Sequence, residues 1–205
     1  MERQVPVGVS SRHVHLTQEH VEVLFGPGHR LTVYKPLTQK GEFAAEERVS
    51  LVGPKGVLKN VRVLGPTRPK TQVEIAITDG FSLGINAPIR QSGHIEDTPG
   101  VILKGPKGTL VLDKGVIVAQ RHLHCNPATA KKMGLRDGQL VDIQADGVRP
   151  VVFKDVLVRV KDNFRLEFHI DTDEANAAGL KNNQTVTIVK SADRSSAAEG
   201  LREAL

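Results

Sequence analysis

Two stretches, Arg12-His13-Val14-His15 and Arg121-His122-Leu123-His124, decide how the rest of the chain is read. In an extended strand successive side chains leave opposite faces, so His13 and His15 point one way together, as do His122 and His124. Two imidazoles on one face, ~6–7 Å apart along a backbone rising ~3.3 Å per residue, can share one metal ion. Zinc is the expected ion, because neutral imidazole nitrogen is among its preferred ligands. One H-x-H is a weak signal. Two of them, each preceded by Arg and lying 109 positions apart, point to a duplicated fold that brings equivalent strand ends to one place. Each pair falls short of four ligands, which leaves positions open for water or substrate, as a catalytic metal requires.

Outward from each pair the same local grammar follows. Residues 5–9 form a strand that runs through Ser10 and Ser11 into the first pair. Thr17 caps a helix over Gln18–Phe25 with Glu19 in its first turn, Gly26-Pro27-Gly28 stops it, and a strand follows over Leu31–Tyr34. After the second pair Asn126 caps, Pro127 opens a helix through Met133, Gly134 ends it, and Leu140–Gln144 is the next strand. A third copy lies at Glu167-Phe168-His169. Ten positions separate His124 from Gly134, and ten separate His169 from Gly179. With a helix over Asp173–Ala178 and a strand over Thr185–Val189, His169 takes the place in its unit that His124 takes in its own. That promotes it from a core histidine beside Phe168 to a third member of the cluster.

The composition sets the class. The chain has 205 residues, 39% hydrophobic and 25% charged, with 19 Gly and 11 Pro among short Val/Ile/Leu runs, which favours a mainly β fold rich in turns. No apolar run reaches the ~18–20 residues that span a bilayer, and the first residues do not read as a signal peptide. The single cysteine, Cys125, excludes an internal disulfide and fits a reducing compartment. Net charge is +5, yet aromatics are only 3% and Trp is absent, so stacking platforms for nucleic acid are lacking. A basic surface suits a small polyanion equally well.

Between the histidine pairs, Gly53-Pro54-Lys55-Gly56 and Gly105-Pro106-Lys107-Gly108 read as repeated hairpin turns. The expected architecture is two small β-barrels with short capping helices, the second barrel (residues 35–117) inserted into the first (residues 1–34 and 118–190). Residues 191–205 read as a flexible tail, although Ala197–Leu205 could form a short helix with Leu201 and Leu205 on one side. Within the insert, residues 86–100 are dense in polar groups. Arg90 offers a fork of donors suited to phosphate, and Glu96 an oxygen ligand for zinc.

The succession V-S-S-R-H-V-H-L, P-I-R-Q-S-G-H-I-E-D-T-P-G, R-H-L-H and H-I-D-T-D-E-A-N-A, in that order over residues 5–189, resembles the PduL-type phosphate acyltransferases, the phosphate propanoyltransferase family. The resemblance implies a dinuclear zinc site and reversible transfer of a short acyl group, propionyl or acetyl, between coenzyme A and inorganic phosphate. It assigns His13, His15 and Glu96 to the first zinc, with the coenzyme sulfur as a further ligand. It assigns His122, His124 and His169 to the second, and Arg90 to phosphate. Val9, Ser10, Ser11 and Asn176 would touch coenzyme A. Members of the family often carry basic residues near positions 77 and 84, where this chain has Ile77 and Gly84, so Lys35 is the substitute contact proposed for the coenzyme phosphates. Cys125, next to His124, should face away from the metals.

Acyl-CoA and phosphate are thus the expected partners, with no nucleic acid and no membrane. A homo-oligomer and a bacterial microcompartment shell are left open. Several relatives work inside such compartments through an N-terminal helical extension, and this chain starts almost at its first strand, so a cytoplasmic place is expected. Two rivals remain: a dinuclear zinc hydrolase, which would use water as acceptor, and a zinc-stabilised scaffold, whose metals would be closed and whose fold would depend on them.

Overall fold

A computed structural model describes residues 3–191; the tail expected at 191–205, with its short helix over Ala197–Leu205, lies almost wholly outside the described residues. In chain order the elements are β1 (Gln4–Ser10), β2 (His13–His15), α1 (Gln18–Phe25), β3 (Val33–Pro36), β4 (Phe43–Val52), β5 (Val57–Gly65), β6 (Gln72–Glu74), α2 (Ile77–Leu83), β7 (Ile89–Arg90) and β8 (Val101–Lys104). They continue with β9 (Thr109–Leu112), β10 (Val116–Ala119), β11 (His122–Cys125), α3 (Pro127–Met133), β12 (Leu140–Ala145), β13 (Val151–Val160), β14 (Glu167–Asp171), α4 (Thr172–Ala178) and β15 (Thr185–Ser191). The described residues are mainly β, with four short helices. Among the described residues no helix is long and apolar enough to cross a membrane.

The chain divides into two compact units. One comprises residues 3–9, 121–170 and 174–191, and the other residues 10–120 with 171–173. The first is a closed six-stranded barrel in the order β1-β14-β11-β13-β12-β15. The second is a nine-stranded sheet curled into a half-barrel, β7-β10-β6-β2-β5-β4-β8-β9, with β3 on β4. The chain leaves the first unit after Val9, where the sequence reading placed the change after residue 34, and returns to it at Arg121. The reason is pairing. β2 lies between β5 and β6, and Val21 and Leu24 of α1 pack into the second core, so both elements belong to the insert.

Alternation puts apolar and polar residues on opposite faces of the site strands. Val14, Leu16, Val73 and Ile75 enter the core of the half-barrel; Leu123, Cys125, Phe168 and Ile170 enter that of the barrel. The histidines therefore fall on the other face. Each of these strands then runs straight into a helix, with one residue between the ligand position and the residue that precedes the helix. Thr17 accepts from His20 N at 3.2 Å, and Asn126 from Thr129 N at 2.8 Å, as side-chain caps. α2 lacks such a cap because its N-cap is Ala76, whose amide instead donates to Asp79 Oδ2 at 3.2 Å.

Two Gly-Pro-Lys-Gly turns close the β4–β5 and β8–β9 hairpins and seat them on helix ends. Lys55 N donates to Leu83 O, and Lys107 N to Leu24 O, each at 3.0 Å, taking up carbonyls that a helix C-terminus leaves unpaired. The approach is so close that a Cβ on Gly53 would lie 2.3 Å from Leu83 O. Glycine is required there by contact. The strand expected over Leu31–Tyr34 begins two residues later, at Val33.

Candidate metal centres and active site

The first cluster forms on the face of β2 and β6 opposite the half-barrel core. These strands are antiparallel, with His13 opposite Glu74 and His15 opposite Gln72. One donor atom from each of His13, His15 and Glu74 lies within 4.8 Å of the others. Glu74 Oε2 is 3.4 Å from His13 Nε2, and Oε1 is 3.8 Å from His15 Nε2. His13 Nδ1 is 2.8 Å from the carbonyl of Ser11, which can only accept, so Nδ1 carries the proton and Nε2 keeps its lone pair. His15 Nδ1 is buried with no hydrogen-bond partner.

The carboxylate in this cluster demands positive charge. Burial raises the pKa of Glu74, but the charge and hydrogen bond of His13, with His15 and Arg68, hold it well below the usual range. Burial opposes the charged form of His13, yet Glu74 outweighs it and raises the pKa. His15 is driven well below its ordinary value by burial, then by His13 and Arg68, and stays neutral. A divalent cation among these three can take the place of the proton that Glu74 draws to His13.

A ring of polar groups fixes Glu74. Its Oε1 accepts from Gln72 Nε2 at 2.6 Å and from Ser92 Oγ at 3.0 Å. Gln72 Nε2 also reaches Ser92 Oγ at 2.9 Å, and Gln72 Oε1 takes the amide of Gly93 at 2.7 Å. Arg68 enters the same ring, donating to Ser92 Oγ at 3.4 Å and to Glu42 Oε1 at 3.3 Å. Its charge acts on all three residues of this cluster.

The second cluster forms on β11 and β14 by the same plan: His122 stands opposite His169 and His124 opposite Glu167. The rings of His122, His124 and His169 lie 4.5–5.1 Å apart, centre to centre. Both nitrogens of His124 are buried without a partner. Its ring packs tilted against Phe164, centroids 4.0 Å apart, and burial first, then the neighbouring His122 and His169 and the cations Arg159 and Lys161, push its pKa far below the ordinary value. Three imidazoles, one of them with two buried nitrogens that lack a partner, are a donor set that suits zinc. The arginines before the two pairs are anchors. Arg12 grips Asp79 in the first turn of α2, and Arg121 holds Glu174 of α4 at 2.9 Å.

The other residues singled out in the sequence fall as follows. Glu96 is not grouped with His13 and His15; it is exposed on its loop, paired with Lys70 Nζ at 2.7 Å, and that hydrogen bond first of all lowers its pKa to about 2. Glu74 stands where Glu96 was expected. Arg90 is half-buried on β7 and donates to the carbonyl of Ile89. Ser10 and Ser11 adjoin His13, the first through Oγ at 3.4 Å from Nδ1. Val9 N is held by Asn182 Oδ1 at 2.7 Å. Lys35 on β3 and Asn176 on α4 are exposed. Ile77 is exposed at the start of α2, and Gly84 ends it in the left-handed conformation at φ 74°. Cys125 is buried in the barrel core, as expected from alternation.

Sequence reasoning missed Glu74, Arg68 and the ring of Gln72 and Ser92. A signal for Glu74 existed: ten positions before Gly84, the same count that links His124 to Gly134 and His169 to Gly179, is Glu74.

The chain matches a family model described as phosphate propanoyltransferase over residues 6–181. It is 54% identical over 185 residues to a phosphate propanoyltransferase of Thermotoga maritima, covering 90% of this chain and 88% of that one. It is likewise 54% identical over 187 residues to one from Rhodopseudomonas palustris (91% and 83%), and 48% identical over 190 residues to one from Listeria monocytogenes (93% and 89%). Matches of this extent, over both units and all four ligand strands, establish that the chain belongs to the phosphate propanoyltransferase family.

Proposed function

We propose that this chain transfers a short acyl group, propionyl in the first instance, reversibly between coenzyme A and inorganic phosphate, using two zinc ions, one held by each three-residue cluster. The observation that carries the zinc assignment is the pair of donor sets, each within 4.8 Å and each containing a buried imidazole nitrogen without a partner. His13, His15 and Glu74 would hold one ion; His122, His124 and His169 the other. When bound, zinc supplies Lewis acidity toward a carbonyl oxygen and a partner for a thiolate sulfur.

The chain's own residues do the rest. Arg68 is the phosphate-binding group in this reading, because its guanidinium already reaches the field of the first cluster and is steadied by Ser92 and Glu42. It takes the role that the sequence suggested for Arg90. Ser10 and Ser11 beside His13, with Val9, Lys35 and Asn176, remain the proposed contacts for coenzyme A. A phosphate oxygen attacks the acyl carbon, the new C–O bond forms as the C–S bond breaks, and the electron pair leaves on the coenzyme sulfur. Cys125 is no rival nucleophile: burial, then Asp137, pushes its thiol up to about 11.

The test is release of free thiol from propionyl-CoA with and without phosphate. Release that needs phosphate and yields propionyl phosphate supports the reading; equal release in water alone would make the chain a hydrolase.

A further inference from the structure

The two clusters share a plan but not a composition. Each is a square of four residues on two antiparallel strands: His13, His15, Gln72 and Glu74 in one, His122, His124, Glu167 and His169 in the other. Gln72 and Glu167 hold equivalent corners, opposite the second histidine of each pair. Each square contains one carboxylate, and the two squares place it at different corners. In the first it stands among the donors, steadied by the neutral amide of Gln72. In the second all three donors are imidazoles, and the carboxylate has moved to the neighbouring corner, where Glu167 is hydrogen-bonded to His169 Nε2.

Glu167 is 6% exposed, so the fold has buried a carboxyl group beside three histidines. The chain also makes room for it. A Cβ on Gly8 of β1 would lie 2.7 Å from Glu167 Cδ and 2.9 Å from Oε1. Gly8 carries no positive φ, so a side chain there would meet the Glu167 carboxylate and displace it, with no backbone restriction added.

We propose that Glu167 is a positioning residue for the three-histidine centre: it orients His169 and supplies the negative charge that the donor set lacks. A carboxylate can only accept from the ring, so Nε2 of His169 carries the proton and Nδ1 keeps its lone pair. An imidazole that donates to a carboxylate is also a more basic ligand. Glu167 thereby gives the second centre from one bond away what Glu74 gives the first directly. This rests on the zinc reading above.

The experiment is metal titration of chelator-stripped full-length chain, using zinc in competition with a chromophoric chelator and cobalt(II) followed by its visible spectrum. Wild type should take up two equivalents. Glu167→Gln, which keeps the shape and removes the charge, should weaken one equivalent roughly 10- to 100-fold and change its cobalt spectrum while leaving the other alone. Glu74→Gln should weaken the other equivalent. The metal-free Glu167→Gln chain should melt close to metal-free wild type, with a smaller rise on adding zinc. Should that variant fail to fold, Gly8→Ala, which keeps the carboxylate but crowds it, should give the same selective loss. Unchanged affinity and spectrum in Glu167→Gln, or an equal fall in melting temperature with and without zinc, would overturn the proposal and make Glu167 a structural residue. A wild-type chain that takes up no zinc would overturn the metal reading, and this inference with it.

Discussion

Glu74 stands directly opposite His13 across β2 and β6, its Oε2 3.4 Å from His13 Nε2, although 60 residues separate the two in the chain. That pairing makes the first cluster, and His122 opposite His169 repeats it in the second. The third residue of each cluster is supplied by an antiparallel neighbour, level with the first histidine of the pair.

Arg68 is expected to carry the phosphate. Arg68→Lys keeps a charge and loses the planar fork, so the Michaelis constant for phosphate should rise and turnover fall together. A contact that strengthens as charge develops is worth about 2–4 kcal/mol, so kcat/KM for phosphate should drop roughly 30- to 1000-fold. Arg90→Lys should stay within about threefold of wild type, less than 1 kcal/mol. Steady-state kinetics at saturating acyl-CoA decides between them; the reverse ranking would return the role to Arg90.

Treatment with chelator should leave the fold standing. The ligands lie on the strand faces opposite both apolar cores, which hold Phe168, Leu123, Leu51 and Leu103 without them. Chelated protein should keep its far-ultraviolet circular dichroism and a cooperative melt while losing activity. Collapse on chelation would favour a zinc-dependent scaffold instead.

A pH effect should come from Glu47, away from the metal ligands. Burial raises its pKa, but hydrogen bonds from His29 at 2.8 Å and from the amide of Thr32 bring it below its ordinary 4.5. A folded pKa below the unfolded one stabilises at pH above 4.5, and the contribution is lost as pH falls from there through the folded value. Glu47→Gln should cost about 1.5–3 kcal/mol at pH 7 and flatten the acid limb of stability. Thermal melts from pH 7 to pH 3 check this; parallel acid limbs in the two proteins would contradict it.

The sequence made most of the framework legible because its signals are local. Thr17 and Asn126 are side-chain caps, Pro127 opens α3, and the Gly-Pro-Lys-Gly turns close hairpins, so those elements fall where expected. His169 was found by its distance from Gly179. The same count from Gly84 lands on Glu74, but it was hidden for two reasons. α2 starts after Ala76, which has no capping oxygen, and carries Gly80 in its middle, so the segment does not read as a helix. β6 is three residues long, too short to show alternation. Glu96 drew attention as a carboxylate in a motif-rich loop, yet what that loop contributes is Ser92 and the amide of Gly93, which fasten Glu74 and Gln72. Such cross-strand pairing is a tertiary fact, set by register and not by spacing.

The most direct test of the account is zinc content, measured by elemental analysis of three proteins purified without chelator: wild type, Glu74→Gln and Glu96→Gln. Two complete clusters predict close to two zinc ions per chain in wild type and in Glu96→Gln, and close to one in Glu74→Gln. Less than half an equivalent in wild type, or loss of zinc in Glu96→Gln with full retention in Glu74→Gln, would contradict it.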